Sequence, residues 1–162
     1  NGIFDPEPGV GHQPAYFDTM TPLYDSYVVN SSYIVVEFCP VNPVTGATPI
    51  GTVGIMIDSD GSFSNNVLNT AVENPSSVSR STAIGNGFVK LTKSWSAKQA
   101  FGTRGLGDPS IIGSTTANPA DVQSFVVFAR NSDTAAPTAN YVASVTVWYH
   151  TTWFQVKDHV GS

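Results

Sequence analysis

The stretch from Tyr141 to Val156 constrains this chain most. Read as a β-strand, it puts Val142, Ser144, Thr146, Trp148, His150 and Thr152 on one face. Tyr141, Ala143, Val145, Val147, Tyr149 and Thr151 share the other. Neither face is strongly polar. A strand that wants cover on both sides belongs in a sandwich whose outer face meets another subunit.

The rest of the chain reads the same way. From Tyr27 to Phe38 β-branched and aromatic residues dominate, interrupted by Asn30-Ser31-Ser32, which predicts a bulge or bend in one long strand. Pro40, Pro43, Gly46 and Pro49 mark a loop, and Ile50 to Ile57 is a second strand. Ser64 to Glu73 is the one expected helix, N-capped by Ser64 and ended by Asn74-Pro75. Further strands are expected at 77–84, 88–95, 97–102 and 124–130, with a long loop over 103–122. Residues 1–22, rich in proline and glycine but holding Phe4, Tyr16 and Phe17, read as an extended, ordered arm. About seven strands with turns between them indicate an all-β, antiparallel sandwich with at most one short helix. Jelly-roll and immunoglobulin-like connections are not separated by periodicity. The expected core is Val28, Ile34, Val36, Phe38, Val53, Ile55, Ile57, Phe88, Leu91, Phe125, Val127, Val145 and Val147.

Charge is scarce. The chain has 162 residues, the size of one domain, and only 12% are charged, against roughly 25% in an average soluble domain. Few charges suit a surface covered by neighbours, because desolvating them is costly. An uncharged secreted adhesin or lectin domain would share this composition. The single cysteine, Cys39, ends an apolar run and reads as a small buried hydrophobe; it excludes an internal disulfide framework. No segment approaches the ~20 apolar residues of a membrane-spanning helix. The chain opens Asn1-Gly2-Ile3 without an initiator Met, so a fragment, a processed product or the ordered part of something longer is expected.

Enzymatic signatures are missing from the sequence. His12, His150 and His159 lie far apart, and no Gly-x-Ser-x-Gly elbow occurs. Gly105-Leu106-Gly107 lacks the Lys-Ser/Thr of a phosphate loop. Asp58 and Asp60 form an Asp-x-Asp-Gly fragment that is a weak calcium candidate; an Asp-capped turn explains it better. No catalytic residue, cofactor or firm metal site is expected. Asn30-Ser31-Ser32 matches the glycosylation pattern but falls mid-strand.

One asymmetry stands out. Between Asn74 and Gly107 there is no acidic residue, while Arg80, Lys90, Lys93, Lys98 and Arg104 supply five of the chain's seven bases. Lys90, Lys93, Trp95, Lys98 and Arg104 are therefore candidate nucleic-acid contacts, the bases meeting phosphates and Trp95 stacking on a nucleobase. The competing reading has a mildly basic strand pair with Trp95 in the core.

A resemblance adds to this. Tyr24-x-x-Tyr27-x-Val29-x-x-Ser32-x-Ile34-x-Val36-x-Phe38, preceded by His12-x-Pro14 and Phe17-Asp18, resembles the capsid proteins of circular single-stranded DNA viruses, the circovirus-like group. Ser96 to Gly102, Phe125-Val126-Val127 and the ending Val145-Thr146-Val147-Trp148-Tyr149 with Trp153-Phe154 are similar at pattern level. The resemblance implies a viral coat jelly roll spanning 1–162. It implies copies assembling into a small icosahedral (T=1) shell around circular single-stranded DNA. It further implies residence in the virion, passage through the host nucleus during assembly, and a basic genome-binding arm upstream. The alternative is a secreted β-sandwich carbohydrate-binding or adhesin module, carrying an exposed aromatic platform.

Overall fold

Strand β1 (Tyr24–Val41) organises the fold in this computed structural model, which describes residues 1–4, 6, 13–41, 51–59, 68–82, 87–102, 108–131 and 140–158. Its alternation explains its role. Tyr27, Val29, Ser32, Ile34, Val36 and Phe38 are buried along one face. The period slips once, at Asn30, where the register with the neighbouring strand shifts between Val29 and Ser31. This is the bulge predicted from Asn30-Ser31-Ser32, and the extra residue lets Tyr27 and Val29 share a face with Ile34 and Phe38.

Along one side of β1 runs β7 (Asn140–Val156), antiparallel from Tyr24↔Val156 to Val41↔Asn140. The other side of β1 is shared by β4 (Val89–Ser96) and the two-residue β5 (Gly113–Ser114). A second, three-stranded sheet has the order β3 (Val78–Thr82), β2 (Gly51–Asp58), β6 (Ser124–Asn131), again antiparallel. The chain starts in the first sheet, crosses for β2 and β3, returns for β4 and β5, crosses for β6 and returns for β7. This repeated crossing is the wrapping of an antiparallel jelly-roll sandwich.

Between the sheets, Ile34, Val36, Phe38, Val89 and Leu91 pack on Val53 and Ile55, with Phe125, Val127 and Val147 partly buried against them. Each such side chain contributes about 1.5–3 kcal/mol relative to leaving it in water. Tyr141 ties β7 to the second sheet through its hydroxyl, 2.7 Å from Thr82 Oγ1. A further cluster gathers the amino-terminal arm: Ile3 and Phe17 pack with Tyr27, Val29 and Trp95. The Tyr27 hydroxyl accepts from the backbone N–H groups of Ile3 and Phe4, at 3.3 and 3.4 Å. The Asn1 side chain donates to the Asp121 carbonyl at 2.9 Å and accepts from the Gln123 backbone N–H at 2.7 Å. Gly113 is required where it stands, because a Cβ there would enter the Tyr27 ring.

Several expectations need correction. Three short helices are described instead of one: α1 (Phe17–Met20), α2 (Leu68–Glu73) and α3 (Ala97–Phe101). The arm is thus not extended throughout; Phe17 is buried while Tyr16 stays 81% exposed. Residues 97–102 were expected as a strand, but Ala97-Lys98-Gln99-Ala100 are strong helix formers, and Gly102 ends the helix at φ +70°. The loop over 103–122 carries a 3-10 turn at Pro109–Ile111 and β5. Phe88 is 74% exposed, because it shares the outward phase of Lys90 while Val89, Leu91 and Trp95 point inward. Val145 points inward from β7 yet is 49% exposed, because it lines an open groove between β7 and β6. Core residues missed include Tyr27, Met56, Ile111 and Phe128, while Trp95 is buried as the competing reading of the basic stretch had it.

Candidate functional site

The expected basic set does not converge. Lys90 stands on the outer face of the first sheet and is tied to Glu37, its cross-strand neighbour, at 2.9 Å. Lys93 lies opposite Ile34 in register and so on the inward face of the same strand, half-buried. Trp95 is 5% exposed; its indole N–H donates to Gln123 Oε1 at 2.6 Å and its ring meets Phe101 edge-on. That ring is a core group and offers no stacking surface. Lys98 is exposed on α3, and Arg104 falls outside the described residues. Of the weak calcium pair, Asp58 ends β2 half-buried, and Asp60 falls outside the described residues. Among the described residues no cluster of three or more ligand-type side chains could hold a metal.

Two other features were not expected from the residues. The first is the outer face of the first sheet, built in rows across β7, β1 and β4. His150, Ser31 and Ser96 form one row; Trp148, Tyr33 and Ser94 the next; Thr146, Val35 and Thr92 a third; Ser144, Glu37 and Lys90 a fourth. Tyr33 and Trp148 are 42% and 52% exposed, with ring centroids 5.7 Å apart. Around this pair lies a depression of about 610 Å³ bordered by Lys98, Gln99, His150 and serines. None of its lining residues is acidic. The alternation that carries Trp148 and His150 on one face was readable in the sequence, but which face would be outermost was not.

The second feature is the open side of the sandwich. No described strand pairs with the far edge of β7 or of β6. Between these edges runs a groove of about 770 Å³, walled by Phe125 and Val127 of β6 and by Val145, Val147 and Tyr149 of β7. At its floor, register places Ser32 between Trp95 and Tyr149. The Ser32 hydroxyl is buried with no hydrogen-bond partner among the described residues, a costly state in an apolar wall. Burial raises the Tyr149 phenol above its usual range.

No protein family matches this chain, and no curated protein matches it. Among solved structures, it is similar to a chain in the cryo-EM structure of rhinovirus-B5, with 14% identity and a TM-score of 0.42. The match covers 86% of this chain and 55% of that chain, so the present sequence spans about half the length of its neighbour. The two-sheet architecture stands on the strand pairing itself.

Proposed function

We propose that this chain is the shell domain of a viral coat protein, whose work is to assemble with copies of itself around a genome. The observation that carries the reading is the open side of the sandwich. β7 is an edge strand with no charged residue and no proline or glycine from Asn140 to Val156. Edge strands of free monomers are normally blunted by such residues. Beside it lies an apolar groove with, at its floor, a buried serine hydroxyl that has no hydrogen-bond partner among the described residues. A surface of this kind is stable when further polypeptide covers it.

The finer reading is a small icosahedral T=1 shell of circovirus-like type around circular single-stranded DNA, found in the virion and assembled in the host nucleus. Its support is the Tyr24–Phe38 resemblance, which falls on β1, the central strand of the first sheet. The charge-poor composition supports the coarser part of the reading, a surface covered by neighbours. One observation favours a second reading: the exposed Tyr33–Trp148 pair is what a secreted carbohydrate-binding sandwich would present.

Native mass and negative-stain imaging of the expressed protein separate the two. The coat reading expects closed particles of uniform diameter. A stable monomer near 17.1 kDa would overturn it in favour of the binding module.

A further inference from the structure

Half-exposed aromatic pairs on a flat sheet face lose free energy to water unless a ligand covers them. Tyr33 and Trp148 form such a pair, and their surroundings restrict the ligand. Lys98 stands free of any described carboxylate, beside the His150 imidazole and the hydroxyls of Ser31, Ser94 and Ser96. In a chain of net charge −5, this depression has a lysine at its rim and no carboxylate in its lining. The one carboxylate on the neighbouring rows, Glu37, is neutralised by Lys90. Aromatic faces beside a cation and hydroxyl donors match a polyanion that also carries flat rings. A sugar would also stack on Trp148, but the depression offers it no carboxylate to accept from paired hydroxyls.

We propose that the outer face of the first sheet binds single-stranded nucleic acid, with Trp148 and Tyr33 stacking on bases and Lys98, His150 and the serines contacting the backbone. The inference deepens the coat-protein reading and rests on it for the identity of that strand as the genome. It revises the set expected from the sequence: Trp95 and Lys93 point inward, Lys90 is paired and Lys98 carries over, while Arg104 lies outside the described residues.

The test is fluorescence anisotropy of the 162-residue protein with labelled oligodeoxythymidylate and oligouridylate across a salt series. Trp148→Ala and Tyr33→Ala should each weaken binding roughly 5- to 100-fold, the range for losing one stacked base. Trp148→Phe should retain most of the affinity, which guards against a folding artefact in the alanine variant. Lys98→Ala should flatten the slope of log affinity against log salt by about 0.7, the loss of one phosphate contact. Unchanged affinity in Trp148→Ala and Lys98→Ala would overturn the proposal. So would failure to bind either oligonucleotide, and a glycan array showing Trp148-dependent binding would then reassign the face to carbohydrate. Imaging the same preparations keeps the two readings apart. Uniform shells that bind no oligonucleotide sink only this inference. A monomer whose oligonucleotide binding depends on Trp148 sinks the coat reading and leaves this one standing.

Discussion

Tyr27 shows how much a single side chain organises. Its ring meets Trp153 at 5.4 Å and Phe17 at 6.3 Å, and its hydroxyl receives two backbone N–H groups of the arm and lies 3.3 Å from Asn118 Oδ1. It also excludes any side chain at position 113. Trp95 works similarly: ring in the core, N–H on Gln123. Removing it leaves a large cavity and takes the donor from the Gln123 side-chain Oε1, so Trp95→Ala should cost about 3–5 kcal/mol in denaturant unfolding. Lys90→Ala should cost less than about 1 kcal/mol, because the Glu37 pair is solvent-exposed. These two residues stood side by side in the sequence-derived site. Their roles separate only when register shows which phase of β4 faces the core. A lysine at 90 and a tryptophan at 95 differ in parity, and parity has no meaning until one face is known to be covered.

At the scale of elements, what was legible followed from local chemistry. The polar break at Asn30-Ser31-Ser32 forecast the bulge because it interrupts the apolar alternation of the run on either side. The helical turn at Ala97–Phe101 was missed for a complementary reason: Trp95 and Phe101 suggested strand, while the Ala-Lys-Gln-Ala between them carried the helix propensity. β5 was invisible, since two residues, Gly113 and Ser114, cannot announce a strand that β1 recruits from outside. The bulge gives a sharp test. Deleting Asn30 moves Tyr27 and Val29 to the outer face, so the variant should lose about 3–6 kcal/mol, read as a collapsed thermal transition by circular dichroism. Asn30→Ala keeps the phase and removes only the amide's 2.8 Å bond to Thr152 Oγ1. That variant should lose no more than about 1.5 kcal/mol. Equal losses in both would mean that the bulge does not set the register.

For the whole molecule, sequence legibility ended at the sandwich's boundary. The two-sided apolar character of β7 called for cover on both faces, but among the described strands β7 is an edge, and its exposed side is lateral as well as outward. Among the described residues, four of the nine large hydrophobics left exposed are on this strand: Val142, Val145, Trp148 and Val156. A strand of 17 residues presents an edge about 55 Å long. That is ample for strand addition, with side chains such as Val145 entering the groove shared with β6. If assembly uses this edge, charge placed on it should block assembly without harming the fold, as lysines do on the free edges of natural sheets. Val142→Lys and Val145→Lys together should abolish uniform particles in negative stain. The thermal midpoint of the dissociated subunit should shift by only a few degrees, because both positions are already about half exposed or more. Lysine at position 92, on the outer face but away from the β7 edge, is the control and should leave particles intact. Particles that survive the paired substitutions would place the assembly contacts on the loops or the outer face, and β7 would then need its cover from elsewhere in the polypeptide.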